Sequence, residues 1–296
     1  MNTSPVTSLA VTSVAFASLV FALGCGSSST TDTTAGNETE STGGHAETTT
    51  SPTLPEVVAM AHRSDENRAR DTFRHPAETL AFFGVRSDMR VLELSPGNGW
   101  YTEILAPYVR SEGHLIAAIP SIESPSEYRR NSATRFLAQL EERAAIYGTV
   151  ATVTLSTPET IELGPDGSVD AVLTFRNLHN WMGDARLDEV LAASFRVLAP
   201  GGVFGVVEHR AAPGTDAAAG GESGYLPEAW VIERATAAGF VLEESSEINA
   251  NPADTHDHPN GVWSLPPALR GGDVDRDTFV AIGESDRMTL RFRKPS

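Results

Sequence analysis

A short turn containing two glycines is the part of this sequence whose residue types could most directly hold a ligand. The apolar run Val91–Leu94 leads into Ser-Pro-Gly-Asn-Gly at residues 95–99, and a helical pattern begins at Thr102. Glycines at such a turn let the backbone approach a ligand closely, and the amide groups of the following helix face it. The pattern predicts a strand, a turn and a helix that together cradle a nucleotide-like ligand.

A second group of chemically capable side chains follows two further apolar runs. Residues 170–174 precede a polar cluster, and residues 203–207 precede another; the members are Arg176, Asn177, His179, Asn180, Trp181, Glu208, His209 and Arg210. Because the carboxyl ends of parallel strands meet at one edge of a sheet, we expect these groups to converge there. Several titratable groups at one edge are typical of a functional site.

The elements that must position these residues alternate between strand and helix patterns. Strands are predicted at Arg90–Leu94, His114–Ile119, Val150–Leu155, Ala171–Thr174, Val203–Val207, Phe240–Ile248 and Met288–Phe292. Helices are predicted at Glu56–Arg70, Pro76–Phe83, Thr102–Val109, Glu127–Tyr147, Leu187–Leu198 and Glu228–Ala238. Such alternation predicts an α/β fold with a Rossmann-like, doubly wound and mostly parallel sheet.

The N-terminus predicts export and lipid attachment. Residues 1–24 contain an almost uncharged apolar run that ends in Ala-Leu-Gly before Cys25, the only cysteine. The run is too short to span a bilayer, so we predict a lipoprotein signal peptide, with a plain signal peptide or an uncleaved anchor as alternatives. Residues 25–53 are rich in Ser, Thr, Gly and acidic residues and predict a disordered tether, whereas residues 54–296 form one domain.

The charge balance restricts the partners. The formal net charge is −17, and nearly all basic residues are arginines. A nucleic-acid partner is disfavoured, because phosphate binding needs a concentrated positive surface. The acidic tether also makes direct adhesion to anionic lipid unfavourable, so a membrane contact would run through the lipid anchor.

Three segments resemble class I S-adenosylmethionine-dependent methyltransferases: the glycine turn, Asp170–Thr174, and Arg196–Gly202 ahead of a strand. More narrowly, residues 175–181 and 283–288 resemble a poorly characterised bacterial group of exported predicted methyltransferases. The resemblance implies an antiparallel last strand, S-adenosylmethionine as cofactor, and methyl transfer to oxygen or nitrogen of a small acceptor. With the N-terminal signal, it implies a lipid-anchored protein of the bacterial cell envelope that faces the periplasm.

The resemblance assigns the cofactor to the glycine turn and to one residue after the fourth strand: Glu93, Ser95, Gly97, Asn98, Gly99, Trp100, Tyr101 and Asn177. Trp100 or Tyr101 could offer a π face near the sulfonium. Two departures stand out. Ser95 replaces the first glycine of the family pattern, and the second predicted strand lacks the usual terminal carboxylate, so ribose recognition falls to Glu123, Ser121 or an unidentified group.

The resemblance also suggests a proton acceptor. In O-methyltransferases a histidine in a similar place deprotonates the acceptor, so His179 is the candidate general base, with Arg176, Asn180 and Glu208 beside it. An ordinary histidine pKa of about 6.5 suits that role. Two structural alternatives stay open: His179 orders the loop, or Glu208 and Arg210 form an ion pair.

The long irregular stretch 249–286 is predicted to lie over the cofactor face as a lid or substrate wall. Its candidate contacts are Asp254, His256, His258, Trp263 and the following Arg287. Asp254, His256, Asp257 and His258 could also ligate a metal, but no fixed zinc spacing is present, so no metal site is predicted.

Export and cofactor supply conflict, because S-adenosylmethionine is made in the cytoplasm. Either the cofactor reaches the envelope, or the protein stays inside, or the fold binds another ligand. The alternative function is therefore a non-catalytic envelope protein that uses the cleft for a nucleoside-like or metal ligand.

Overall fold

A computed structural model describes residues 51–155 and 161–296 of the chain. The predicted signal segment 1–24, Cys25 and nearly all of the predicted tether lie outside the described residues. Within the described ranges, no helix has the length and apolar character needed to cross a bilayer.

Seven strands form one sheet in the order β3-β2-β1-β4-β5-β7-β6. They are β1 Arg90–Leu94, β2 His114–Ile119, β3 Val150–Thr154, β4 Val169–Phe175, β5 Leu198–His209, β6 Val241–Ser246 and β7 Arg287–Arg293. Strands β1 to β5 pair in parallel, whereas β7 runs antiparallel to both β5 and β6. The predicted α/β sheet with an antiparallel last strand is confirmed.

The central strands are buried on both faces, which is why they read as continuous apolar runs. Along β1, Val91 packs with one buried cluster, whereas Leu92 and Leu94 pack with the other. This alternation follows from the two-residue repeat of a strand. From β1 the chain builds β2 and β3 on one side and then returns to place β4 on the other. Ligands bind at such a reversal, outside the carboxyl ends of the strands.

Twelve α-helices lie among the described residues. They are α1 Leu54–Val58, α2 Asp65–Arg68, α3 Asp71–Arg74, α4 Pro76–Phe82, α5 Thr102–Val109, α6 Glu127–Glu142, α7 Ala144–Tyr147, α8 Leu178–Gly183, α9 Leu187–Val197, α10 Gly220–Ser223, α11 Glu228–Ala237 and α12 Arg276–Ile282. Buried side chains of α1, α4 and α5 cover one sheet face, and those of α9 and α11 cover the other. The fold is therefore a sheet between two helical layers.

The predicted helix Glu56–Arg70 is wrong, because the segment forms three short helices instead. Ser64 caps a new helix by accepting a hydrogen bond from the Asn67 amide at 3.1 Å. The Arg63 side chain turns back and donates to the Val58 carbonyl at 3.0 Å. These contacts divide a pattern that is amphipathic along its whole length.

Other boundaries also differ from the prediction. The predicted helix Glu127–Tyr147 is interrupted at Arg143, whose backbone leaves the helical region. Two helices, α8 and α12, form in segments that were predicted to be irregular. Strand β5 extends beyond the predicted Val203–Val207 at both ends.

Candidate functional site

A cleft of about 560 Å³ opens at the carboxyl ends of β1 and β4. Its lining includes Ser95, Gly97, Ser126, Ser132, Leu155, Ile161, Asn177, Asn180, Trp181 and Asp184. Four of these residues, Ser95, Gly97, Asn177 and Asn180, belong to the predicted site. A larger and more open depression of about 830 Å³ lies along α8 and α11, but its lining includes no residue of the glycine turn.

The glycine turn has the backbone geometry of a cradle. Ser95, Gly97 and Gly99 have φ angles of 48°, 61° and 73°, a region that favours glycine. A Cβ atom built on Gly97 would meet nothing within 4 Å, so this residue leaves open space beside the cleft. Ser95 holds its place by donating its amide to the Ala118 carbonyl of β2 at 2.9 Å.

The other members of the turn have different positions. Asn98 is exposed, whereas a Cβ on Gly99 would lie 3.1 Å from the Gln139 side chain of α6. Glycine is therefore needed at position 99 for helix packing. Neither residue lines the cleft.

Glu93 is buried beneath the turn rather than in the cleft lining. Its carboxylate accepts a hydrogen bond of 2.6 Å from the Thr102 hydroxyl, which ties β1 to the start of α5. Burial raises the pKa of Glu93 to about 7, and the Thr102 hydrogen bond acts in the opposite direction.

The aromatic pair after the turn is packed inside the protein. The Arg74 guanidinium lies over the Trp100 ring at 4.6 Å from its centroid, and the indole N–H donates to the Asn67 carbonyl at 3.2 Å. Tyr101 stacks on Phe175 with 3.5 Å between ring centroids. Both rings are thus engaged by protein groups, and the structure does not bring them into the cleft lining.

The carboxyl end of β2 offers hydroxyl groups where a carboxylate is usual. Ser121 accepts the Glu123 amide at 3.0 Å, so the chain turns locally and neither residue lines the cleft. The side chains of Ser126 and Ser132, on or before α6, line it instead. Asp184, at the end of α8, is the carboxylate in the lining, and it pairs with Arg129.

His179 and Glu208 form a buried pair at the ends of β4 and β5. His179 Nδ1 lies 3.0 Å from Glu208 Oε1. Glu208 also accepts the Leu178 amide at 2.6 Å and the His209 amide at 2.8 Å. A carboxylate that accepts two amides is an acceptor for the third contact as well, so Nδ1 carries the proton and Nε2 keeps its lone pair.

Two more rings surround His179. The His209 ring lies 5.4 Å from it, and the Trp263 ring of the predicted lid lies 5.9 Å from it. Ligand atoms of His179, Glu208 and His209 all lie within 4.8 Å of one another, a grouping that could hold a metal and that the sequence did not predict.

The predicted lid is held together by its own polar groups. Asp254 accepts the Tyr225 hydroxyl at 2.9 Å and the Asp286 amide at 2.8 Å. Nε2 of His258 lies 2.8 Å from Asp254, and that of His256 lies 3.4 Å from Asp286. These groups stabilise the segment against β7, whereas Trp263 contacts the candidate base.

Four arginines form a cluster that sequence patterns did not bring together: Arg70, Arg74, Arg176 and Arg287. They surround Glu284, which receives hydrogen bonds from three of them. Arg176 and Arg287 were predicted as site residues. Arg70, Arg74 and Glu284 were missed, because no local signal pairs residues that lie 214 and 210 positions apart.

Residues 92–206 match the family described as Methyltransferase domain. No curated protein matches the chain in sequence. Among solved structures, a SAM-dependent methyltransferase from Aquifex aeolicus is similar at 15% identity over 76% of this chain and 93% of that chain, with a TM-score of 0.51. A protein described as a sarcosine dimethylglycine methyltransferase from Galdieria sulphuraria is similar at 15% identity, covering 78% and 86%, with a TM-score of 0.51. The cyclase SpnF is similar at 18% identity, covering 75% and 81%, with a TM-score of 0.50. Such similarity shows the fold.

The fold and the cleft define a class I methyltransferase architecture. With the family match across β1 to β5, the chain contains a class I S-adenosylmethionine-dependent methyltransferase domain, and S-adenosylmethionine is its cofactor. The residues present fit this group, because Gly97 leaves space beside a cleft of about 560 Å³, within the usual size range of ligand pockets.

Proposed function

We propose that this protein transfers a methyl group from S-adenosylmethionine to an oxygen or nitrogen atom of a small acceptor. One observation carries the proposal: α8 places Asn180 in the lining of the cleft and places the adjacent His179 on a buried carboxylate. When bound, the cofactor supplies a methyl group that is already a strong electrophile. The protein must therefore align the two reactants, exclude water and accept one proton.

His179 is the proposed proton acceptor. Glu208 fixes Nδ1 as the donor, so Nε2 is free to accept the proton of the acceptor hydroxyl or amine. The Glu208 hydrogen bond also stabilises the imidazolium that forms. Trp263 lies edge-on to His179 and limits the access of water to it.

Asn177 is proposed to keep the cleft in shape. Its side-chain amide donates to the Leu94 carbonyl at 3.1 Å and lies 3.2 Å from the Thr174 hydroxyl. These contacts join the ends of β1 and β4, the two strands between which the cleft opens. Asn177 would thus hold the glycine turn at a fixed distance from α8.

Calorimetric titration with S-adenosylhomocysteine tests the cofactor site. We expect micromolar affinity, about −8 kcal/mol, for the wild-type protein. Gly97→Ala should weaken binding at least tenfold because its methyl group enters the space beside the cleft. Gly84→Ala is the matched control: Gly84 also has a positive φ, 71°, and no atom within 4 Å of a built Cβ, but it lies outside the cleft lining.

Both variants should lose similar stability from backbone strain, so only a difference in affinity is informative. Equal affinities in the two variants would remove the turn from the cofactor site. Absence of S-adenosylhomocysteine binding in the wild type would contradict the proposal and return the non-catalytic binding protein, which the comparisons do not favour.

Turnover of the variant His179→Ala tests the base. With an acceptor found by screening, the rate of S-adenosylhomocysteine formation should fall by about 10² to 10⁴, while the affinity for S-adenosylhomocysteine stays within about twofold of wild type. Glu208→Gln should lower the rate less, because the imidazole remains. His114→Ala, an exposed residue at the opposite edge of the sheet, is the control. An unchanged rate in His179→Ala would exclude it from the mechanism.

The proposed setting is the bacterial cell envelope, with the domain tethered through a lipid on Cys25. The apolar run before Cys25 and the polar composition of residues 25–53 support this proposal. It requires S-adenosylmethionine to reach the envelope, because the cofactor is made in the cytoplasm.

A further inference from the structure

The arginine cluster is the strongest concentration of buried positive charge in the described part of the chain. Arg70 and Arg74 come from the N-terminal helices, Arg176 follows β4, and Arg287 begins β7. Arg70 Nε lies 2.5 Å and Arg74 Nε lies 3.0 Å from Glu284, and Arg287 pairs with the same carboxylate. Four guanidinium groups thus face one buried carboxylate.

The cluster holds more hydrogen-bond donors than it has acceptors. Buried donors without a partner among the described residues are Arg70 Nη2, Arg74 Nη1, Arg74 Nη2 and Arg287 Nε. The Arg74 side chain is only 2% exposed, so bulk water does not solvate it. Buried charged donors without acceptors are costly. An oxyanion would accept from them in the bidentate manner that guanidinium groups favour.

The electrostatics favour an anion over a cation at this place. Burial and then Arg176 hold the pKa of Arg74 well below its usual range, against the attraction of Glu284. Burial and then Arg287 lower the pKa of Arg176 to about 10. Both shifts report guanidinium groups that repel one another. A divalent metal on the neighbouring His179, Glu208 and His209 would meet the same repulsion.

The cluster adjoins the candidate reaction site. Arg176 immediately precedes Asn177, which lines the cofactor cleft. Arg287 lies opposite His209 in the β5–β7 ladder, and His209 contacts the candidate base His179. The Arg70 side chain is 23% exposed, so solvent reaches one side of the cluster.

We propose that the arginine cluster binds the carboxylate or phosphate group of an anionic methyl acceptor. The assignment rests on the proposed methyl transfer, and it deepens it by naming the substrate class. With its anion on the arginines, such an acceptor would present a nearby hydroxyl or amine toward His179. Four arginines around one glutamate exceed what a structural ion pair needs, because extra like charges destabilise a buried pair.

Thermal unfolding of the full-length protein, saturated with S-adenosylhomocysteine, tests the proposal. Malonate and inorganic phosphate are titrated separately at constant ionic strength. We expect at least one of them to raise the melting temperature of the wild type; the two titrations distinguish a carboxylate from a phosphate. In Arg176→Gln the apparent Kd should rise about tenfold, the loss expected for one hydrogen bond to a charged group.

Arg90→Gln is the matched control, since Arg90 lies at the opposite edge of the sheet and pairs with Asp170 on the surface. It should respond to the anions as the wild type does. Without added anion, Arg176→Gln should melt no lower than wild type, because it relieves repulsion; a clear loss of stability would indicate a structural role. Arg70→Gln, also partly exposed, provides a second variant.

Several outcomes would overturn the assignment. If neither anion shifts the melting temperature while S-adenosylhomocysteine binds, the inference fails and the proposed function stands. If S-adenosylhomocysteine does not bind, the proposed function fails, and anion titration of the free protein still decides whether the cluster is an anion site.

Two other sources of the effect are separable. If Arg176→Gln weakens S-adenosylhomocysteine but not methylthioadenosine, which lacks the amino-acid moiety, then the cluster binds the carboxylate of the cofactor and not an acceptor. If Zn²⁺ stabilises the protein and the anions do not, the neighbouring histidines form a metal site instead.

Discussion

At the scale of single residues, Glu93 shows how position sets chemistry. The sequence places it where the family pattern has an acidic residue, and the structure places it below the glycine turn, bonded to Thr102. Burial holds its pKa near 7 rather than near 4.5. Its side chain therefore joins β1 to α5, and it carries an energetic cost when it ionises.

This cost predicts a pH dependence of stability. Between pH 4.5 and about 7 the folded protein keeps a proton on Glu93 that the unfolded chain has lost, so the free energy of unfolding falls as the pH rises. Glu93→Gln removes the titration and keeps an oxygen for Thr102. Urea unfolding from pH 5 to 8 should show the variant gaining on wild type with rising pH, by up to about 3 kcal/mol.

The exposed Glu78 provides the control, because Glu78→Gln should follow the wild-type profile. Parallel profiles for Glu93→Gln and wild type would show that the Glu93 carboxyl does not titrate in this range.

At the scale of elements, local pattern predicted the sheet better than the N-terminal helices. The bounds of β1, β2 and α5 agree with the prediction residue for residue, because apolar segments there end at glycine turns or polar loops. The segment 56–70 carries a continuous amphipathic pattern, but the tertiary contacts of Arg63 divide it. Such contacts join residues that no local window compares.

The same reasoning explains which site residues were accessible to prediction. Ser95, Gly97 and Asn177 follow strand ends, so topology alone places them at the cleft. Helix α8 was missed because its residues were considered only for their chemistry. Glu284 reaches its arginine partners through chain segments that lie more than 200 residues apart, so the cluster follows only from the folded structure.

Arg63 gives a prediction for the N-terminal helices. It is fully buried, lies 2.8 Å from Glu103 and 2.7 Å from Asp71, and so fastens the segment to α5. Arg63→Met should lower the free energy of unfolding by about 3–5 kcal/mol, because Glu103 is left buried without its cation. Urea unfolding measures the loss, and limited proteolysis should show cleavage near residues 54–74.

Arg68→Met is the matched control, since Arg68 is 38% exposed and pairs with the exposed Asp65. Its cost should stay below about 1 kcal/mol. Equal losses in the two variants would mean that the Arg63 contacts do not fasten the segment.

At the scale of the whole molecule, net charge and anchoring make separate contributions to membrane attachment. With 39 acidic and 22 basic Lys and Arg residues, the protein gains nothing from the negative surface potential of a membrane. If the protein is retained on membranes, an apolar anchor must hold it there. Such retention is insensitive to salt, because salt screens only electrostatic attraction.

The proposed lipid on Cys25 therefore predicts two linked observations. Cells fed radiolabelled fatty acid should label the wild-type protein and not Cys25→Ala, while Ser27→Ala, two residues away, should be labelled as wild type is. Membranes washed in high salt should retain the wild type because the acyl chains lie in the bilayer. Equal labelling of wild type and Cys25→Ala, or release of the wild type by salt, would contradict lipid anchoring, and the methyltransferase domain would then need no envelope supply of its cofactor.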